Sequence, residues 1–257
     1  MNITDLIKNN HDYFQDFISR STYHSNAIEG NTLSYAETHA ILWNDNSFKI
    51  SAEPREWYEA INHKHALSYV IEQASCNEPL SETMIKKIGI MINKGIKEID
   101  GYRKIQVLIK GAEHMPPAAN MVQQHMMHFI DNYNHTCYSS VFEKIARNHI
   151  LFEQIHPFED GNGRTGRLLI NFELLKNNLA PIVIPKEERI QYFKLLAQNN
   201  DTELADYFYK LSVIEQERIQ QFEMNSEYKI AQEAYDDYAE HGKESKRIEK
   251  SLEELEL

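Results

Sequence analysis

Cysteine is scarce in this chain of 257 residues, which contains only Cys76 and Cys137. Two cysteines are too few for a disulfide framework, and neither lies in a Cys-x-x-Cys or Cys/His pattern that would indicate zinc. No apolar run approaches the length of a membrane-spanning helix. The N-terminus also lacks the basic start and apolar stretch of a secretory signal. The sequence therefore predicts a cytoplasmic protein without structural disulfides.

Positively charged residues are also few. The chain has 27 Lys and Arg residues and 39 Asp and Glu residues, which give a net charge of −12. A surface that binds nucleic acid needs an excess of positive charge to meet the phosphates. We therefore expect no nucleic-acid partner and no membrane partner. The length allows one full domain with an appendage.

Only nine glycines interrupt the chain, and apolar residues recur with a helical period over most of it. Ser34 and Glu37 have the spacing of a capping box at the start of a helix. The expected fold is all-α, a helical bundle, with an N-terminal region at 1–35, a core at 36–213 and a charged tail at 214–257. Helices are predicted over residues 14–29, 34–43, 56–74, 81–96, 121–133, 143–152, 167–175 and 190–201.

The tail from residue 214 is rich in charge and poor in apolar positions. This composition favours a solvated helix with pairs of opposite charge one turn apart. Such a helix is either a fraying tail or a surface for oligomerisation or a target, and the first interpretation is the simpler one.

One short segment interrupts the helical pattern. Residues 101–111 are rich in β-branched side chains and bounded by Gly101 and Gly111, and Pro116 and Pro117 follow. This pattern predicts an extended segment or a β-hairpin. An exposed strand edge can add an extended peptide by main-chain hydrogen bonds, although an ordinary hairpin packed on the core has the same pattern.

The most informative segment runs from His156 to Arg167 and reads HPFEDGNGRTGR. Its Gly161-Asn162-Gly163 turn can adopt positive φ, so that successive backbone N–H groups converge on an anion. The turn lies between two predicted helices. It therefore stands at a helix N-terminus, where the helix dipole and the unpaired N–H groups favour a phosphate.

The side chains around this turn suit chemistry on a phosphate ester. Asp160 can hold Mg²⁺ or Mn²⁺ that bridges phosphate oxygens, and His156 is a candidate general base. Arg164 and Arg167 are three residues apart in the first turn of the helix, and we expect them to clamp the distal phosphates. A polar interhelical loop is the alternative, but it leaves this combination to chance. A phosphate-binding loop of the Walker type is excluded, because its glycine-lysine pattern does not occur.

The same segment resembles the motif of the Fic (filamentation induced by cAMP) family, H-P-F-x-[DE]-G-N-[GK]-R-x-x-R, at every fixed position. The resemblance implies the Fic fold with a small β-hairpin flap. It also implies transfer of AMP from ATP to a Tyr, Thr or Ser hydroxyl of a target protein or of the chain itself, with His156 as the catalytic base and Asp160 as the metal ligand. The nucleotide-binding residues that it implies are Gly161, Asn162, Gly163, Arg164, Arg167, Tyr192 and Asn200.

The resemblance also gives the segment at 101–111 a role as the flap that holds the target. Val107, Leu108 and Ile109 would then contact the segment of the target that is modified. Tyr192 is open to a second interpretation, because a tyrosine at that place in a helix can equally have its ring in the core.

Ser25 to Asn31 resembles the inhibitory motif of the same family, [ST]-x-x-x-E-[GN]. By this resemblance Glu29 pairs with Arg167 and blocks the position of the γ-phosphate, so residues 1–35 form an N-terminal inhibitory region. The residue type predicts Gly30 as a C′ residue, which places Glu29 at a helix C-terminus. The dipole disfavours a carboxylate there by roughly 0.3–1 kcal/mol, so a partner elsewhere is expected. An exposed glutamate before a turn is the alternative.

Three other functions remain open at this point. Some Fic relatives transfer phosphate, UMP or phosphocholine, but Gly163, where the phosphate-transferring branch often has Lys, favours AMP. A non-catalytic nucleotide-sensing regulator would keep the turn, although His156 argues for catalysis. A protein-binding module would act through the charged tail.

Overall fold

The computed structural model describes residues 2–44, 50–108 and 114–253, and most of these residues are helical. The long predicted helices are confirmed, and a short N-terminal helix that the sequence did not predict precedes them. The helices are α1 (Ile3–Asn9), α2 (His11–Ile28), α3 (Tyr35–Trp43), α4 (Pro54–Ser75), α5 (Glu82–Asn93), α6 (Val122–His135), α7 (Val141–Ile155), α8 (Asn162–Lys176), α9 (Arg189–Ala197) and α10 (Asp201–Glu253).

No β-strand is assigned among the residues that the structure describes. The predicted hairpin at 101–111 is therefore not seen at 101–108, where the backbone forms bends and irregular segments. Residues 109–111 lie outside the described ranges. Within this segment, Arg103 donates to the carbonyl of His156 in the loop after α7 and to the carbonyl of Ile105.

Helix α8 is the centre of the bundle, because it packs against α4 on one side and α7 on the other. Nearly every residue from Asn162 to Leu175 is buried, which is the pattern of a helix surrounded by others. α2 packs on α3, α4 and α8, and this places its C-terminal end beside the first turn of α8. The ends of these two helices define the candidate site.

Local signals explain where the site helices begin and end. The predicted capping box is confirmed, since Ser34 and Glu37 exchange side-chain and backbone hydrogen bonds at the start of α3. The predicted C′ position is confirmed at Gly30, which has φ of 101°. The N–H of Gly30 donates to the carbonyl of Ala27, and that of Asn31 donates to the carbonyl of Asn26. This is the Schellman pattern, which turns the chain sharply away after Glu29.

The chain divides into two compact units, residues 1–216 and 217–257. The finer division at 35 and 213 stays a prediction. Within the described part of the chain, no helix combines the length and apolarity needed to cross a membrane. The cellular location of the protein likewise stays a prediction.

Candidate active site

The loop between α7 and α8 carries the predicted catalytic segment. Helix α7 ends at Ile155, and His156 follows in the left-handed conformation with φ of 50°. Phe158 is fully buried against Tyr102, as its apolar side chain within a polar loop suggests. Gly161, with φ of 80°, is the N-cap of α8, which starts at Asn162. The predicted arrangement of a glycine turn at a helix N-terminus is therefore present, and the first N–H groups of α8 face outward from the helix end.

The imidazole of His156 is oriented for proton transfer. Its Nδ1 lies 3.3 Å from the carbonyl oxygen of Glu153. A carbonyl only accepts, so Nδ1 carries the proton and Nε2 is left as the basic nitrogen. Burial lowers the pKa of His156 from its ordinary value, which keeps the ring neutral near pH 7. These properties are those of a general base.

Asp160 lies at the entrance of the glycine turn. Its Oδ1 accepts from the N–H of Gly161 at 2.6 Å, and its Oδ2 accepts from Arg55 at 2.6 Å. Burial would raise the pKa of Asp160, but Arg164 and Arg55 outweigh it and hold that pKa below the usual range. The carboxylate is therefore ionised. Among the described residues, no group of three or more His, Cys, Asp or Glu side chains is placed to hold a metal by itself.

Two predicted nucleotide contacts have other partners. The side-chain amide of Asn162 is bonded to the backbone of Phe158 in both directions, at 2.8 and 2.9 Å. Arg164 is only 2% exposed and lies within 3.2 Å of Glu59 and 3.3 Å of Asp160. In this structure the carboxylates of Glu59 and Asp160 hold the Arg164 guanidinium, and its role in binding the distal phosphates stays a prediction.

Arg167 is held by the end of α2. Its Nε donates to the Ser25 hydroxyl at 3.0 Å, and its Nη2 donates to the Ser25 carbonyl at 2.9 Å and to Glu29 at 2.7 Å. The glutamate carboxylate also lies against Gly163, so close that a Cβ there would collide with its Oε1. The structure thus brings together Ser25, Glu29 and Arg167, which are up to 142 residues apart in the chain.

The other side of Arg167 is lined by a buried polar cluster. His149 is fully buried, and its Nε2 lies 2.6 Å from the Tyr192 hydroxyl. Burial lowers the pKa of His149 to about 3, so this ring is neutral. Part of Glu153 reaches the surface, but its Oε1 is buried without a hydrogen-bond partner among the described residues. Burial raises the pKa of Glu153 to about 8, so the carboxyl group is mostly protonated at pH 7.

Tyr192 is therefore a core residue, because it is 0% exposed and its ring packs beside His149. The first interpretation of this residue, as an adenosine contact, does not fit this burial. The side chain of Asn200 accepts from the N–H of Glu203 at 3.0 Å and caps α10. Its role in nucleotide binding stays a prediction. Of the predicted flap contacts, Leu108 is 76% exposed and Val107 is half-buried, whereas Ile109 lies outside the described residues.

Arg103 is a site residue that the sequence analysis did not single out. It is buried, and its guanidinium donates to the carbonyls of His156 at 2.9 Å, Ile105 at 3.1 Å and Pro117 at 2.6 Å. Its own N–H donates to the Pro157 carbonyl at 2.8 Å. Arg103 thereby ties the base of the segment at 101–117 to the catalytic loop. Its signal in the sequence was the pair of cations Arg103 and Lys104 between Tyr102 and a β-branched run.

Arg55 and Glu59 were also missed. They are one turn apart on α4 and bonded to each other at 3.0 Å; Arg55 contacts Asp160 in the loop, and Glu59 contacts Arg164 in the first turn of α8. Nothing in a helical pattern marks a pair of opposite charge as part of a distant site, because such pairs are common on exposed helix faces.

The buried acid predicts a pH effect on stability. A carboxyl group with a pKa raised in the native state stabilises that state below its unfolded pKa of about 4.3, and the contribution is lost as the pH rises through the native value. Glu153→Gln has no proton to lose. We expect the free energy of unfolding of the variant to rise relative to that of the wild type between about pH 4.3 and about pH 8, by at most about 1.4 kcal/mol per pH unit. Denaturant unfolding across this range measures the gain. The exposed Glu78→Gln is the control, and an equal trend in both variants would contradict the assignment.

The sequence of this chain is similar to a known family and to named relatives. Residues 79–174 match the model of the Fic/DOC family. Over 205 residues, or 76% of this chain, the sequence is 32% identical to the protein adenylyltransferase Fic of Drosophila willistoni. It is 30% identical over the same length to the protein of that name from Drosophila melanogaster. This chain spans 38% and 39% of the length of those two relatives.

Solved structures have the same fold. A Fic domain containing signalling protein from Bacteroides thetaiotaomicron superposes with a TM-score of 0.74 and 24% identity, over 85% of this chain and 90% of that one. Fic-1 from C. elegans superposes with a TM-score of 0.69 and 25% identity, over 83% of this chain and 64% of that one. The shared fold is the helical bundle described above.

Proposed function

We propose that this chain, whose residues 79–174 match the Fic/DOC family, is a protein adenylyltransferase held inactive by its own N-terminal region. It would transfer AMP from ATP to a Tyr, Thr or Ser hydroxyl of a target protein. The observation that carries this proposal is the first turn of α8. There the neutral His156, the glycine turn and the buried Arg167 surround one helix N-terminus. The Glu29 carboxylate accepts a hydrogen bond from this arginine.

The proposed reaction is an in-line displacement at the α-phosphorus. The target hydroxyl loses its proton to Nε2 of His156 while its oxygen attacks the α-phosphorus. The bond from that phosphorus to the oxygen that bridges to the β-phosphate breaks, and pyrophosphate leaves with the electron pair. The N–H groups at the start of α8 stabilise the charge that develops on the α-phosphate. Arg167 binds the terminal phosphate and then the leaving pyrophosphate.

The residues present fit a magnesium ion that binds together with the nucleotide. Mg²⁺ in such sites uses one or two carboxylates and takes its other ligands from phosphates and water. Asp160 supplies an ionised carboxylate with a side chain that is 28% exposed, so it is accessible. When bound, the ion neutralises phosphate charge. Arg164 and Arg55 would orient Asp160, because both contact its carboxylate.

The metal proposal makes a prediction of its own. Transfer should require Mg²⁺ or Mn²⁺, and Asp160→Ala should need a much higher metal concentration for half-maximal activity. The reason is that the substitution removes the carboxylate that accepts from the N–H of Gly161 in the glycine turn. Titration of Mg²⁺ against label transfer, in the activated Glu29→Gly background, measures the effect. Full activity in excess EDTA would contradict it.

Autoinhibition follows from competition for Arg167. This arginine is buried, and its present partners are Ser25 and Glu29. The Glu29 side chain is 33% exposed, so it can leave for solvent without unfolding α2. A terminal phosphate and the Glu29 carboxylate cannot both take the same guanidinium group, so ATP would bind with its α-phosphate out of line while Glu29 stays.

The flap proposal concerns the target. The exposed side chains of Leu108 and Ile105 lie on a segment whose base Arg103 fixes to the loop of His156. An extended peptide on this segment would come within reach of the catalytic base. Main-chain hydrogen bonds between this segment and the peptide would not depend on the sequence of the target. Other surfaces of the protein would then select the target.

Two labelled forms of ATP test the reaction. Glu29→Gly and the wild type are incubated with native lysate and ATP labelled at the α- or the γ-phosphate. Label transferred from the α-position alone supports AMP transfer. Label from the γ-position would mean phosphate transfer, and no label from either would favour a non-catalytic nucleotide-binding regulator.

A further inference from the structure

The last turn of α2 has an unusual set of hydrogen-bond partners. The last four carbonyl groups of any α-helix lack partners within the helix. In α2 these belong to Ser25, Asn26, Ala27 and Ile28. The Schellman turn occupies the carbonyls of Asn26 and Ala27. The other two carbonyls accept from arginines of other helices, namely Arg167 of α8 and Arg189 of α9.

These two arginines differ in what they can do. Arg167 lies in the proposed nucleotide site and would change partners when ATP binds. Arg189 is the first residue of α9, and its Nε donates to the Ile28 carbonyl at 2.7 Å. Its guanidinium also lies 4.6 Å from the centre of the Phe193 ring, which fixes the side chain. A cation at this end of α2 also complements the helix dipole.

A second contact lies one helical turn earlier on the same face of α2. The backbone N–H of Lys186 donates to Nδ1 of His24 at 3.1 Å. Lys186 begins the 3-10 turn Lys186–Glu188, which leads directly into Arg189. We name His24, Ile28, Lys186 and Arg189 the α2 clasp. The clasp joins two consecutive turns of α2 to Lys186 and Arg189, which are three residues apart, before and at the start of α9.

We propose that Arg189 is a positioning residue of the autoinhibited state, which holds the end of α2 so that Glu29 meets Arg167. This inference rests on the proposed function, because it requires Glu29 to be inhibitory. Ile28 and Glu29 are adjacent, so a displacement of the Ile28 carbonyl is passed to Glu29 with little slack. The Glu29 carboxylate has a narrow place between Gly163 and Arg167, where a small displacement breaks the 2.7 Å contact.

Opening of the α2 clasp would be a route by which Glu29 is released from Arg167. Arg189 is exposed, so its bond to Ile28 can open without disturbing the core. Opening the clasp would free the end of α2 while the nucleotide site itself is unchanged. The expected signature is activation that depends on the presence of Glu29.

The test compares Arg189→Met in two backgrounds. Methionine keeps the aliphatic stem over Phe193 and removes the donor to Ile28. We expect Arg189→Met to raise transfer from α-labelled ATP by on the order of 3- to 10-fold in the wild type. No further gain is expected in the Glu29→Gly background. Lys194→Ala removes another exposed cation of α9 and should change neither.

The second variant is His24→Leu, which removes the acceptor for Lys186 and should act in the same direction. Melting temperatures of all variants check that they fold. The inference is overturned if Glu29→Gly activates but neither clasp variant does. It is also overturned if Arg189→Met activates equally in both backgrounds, since its effect would then not pass through Glu29. If Glu29→Gly itself fails to activate, both this inference and the proposed autoinhibition fail.

Discussion

Glu29→Gly is expected to raise AMP transfer by about 100-fold or more over the wild type. The reason is that the Glu29 carboxylate accepts from Nη2 of Arg167 at 2.7 Å, and removing one partner of a buried pair leaves the other charge uncompensated at a cost of up to about 3–5 kcal/mol. Its removal leaves the arginine available for the terminal phosphate. Transfer of α-label into lysate proteins, or into the protein itself, measures the gain. Glu78→Gly, an exposed glutamate outside the helices, is the matched control and should leave transfer unchanged.

The same competition predicts a specific result for the double variant. Glu29→Gly should not rescue Arg167→Ala, because the arginine is then missing for ATP as well. Rescue would mean that Arg167 is needed only to hold Glu29. If Glu29→Gly transfers no more label than the wild type, Ser25 to Gly30 is only the end of a helix.

His156→Ala, introduced into Glu29→Gly, is expected to lower transfer by about 10²–10⁴-fold. Nε2 of His156 is the proposed acceptor of the hydroxyl proton, and the hydrogen bond from Nδ1 to Glu153 fixes the ring for that task. ATP binding should persist, because the helix N-terminus and Arg167 remain. His128→Ala, on the exposed face of α6, is the control. Undiminished transfer by the His156 variant would remove the histidine from the mechanism.

The helices and the position of the catalytic loop could be predicted because both depend on local sequence. The period of apolar residues identified α4 to α8, and glycine on either side of Asn162 marked the turn at the start of α8. The approach of Glu29 to Arg167 could be proposed from two short motifs and the family resemblance. It could not be derived from the chain alone, since 138 residues separate the pair.

The features that could not be predicted depend on partners distant in sequence. The three-residue spacing of Arg164 and Arg167 predicted a shared face, but Glu59 of α4 draws Arg164 beneath the loop. Tyr192 could be placed on a helix, yet its partner His149 is 43 residues away, so its burial was not visible. The hairpin was predicted from β-branched composition, which gives no sign that Arg103 donates to the distant carbonyls of His156 and Pro117.

The most direct measurement of the central claim compares the affinities of ATP and ADP in the wild type and in Glu29→Gly. If Glu29 and the γ-phosphate of ATP compete for Arg167, the substitution should strengthen the binding of ATP much more than that of ADP. ADP has no γ-phosphate. Titration calorimetry with both nucleotides and both proteins gives the four dissociation constants. An equal gain for ATP and ADP, or no gain for either, would contradict the claim that Glu29 excludes the terminal phosphate from Arg167.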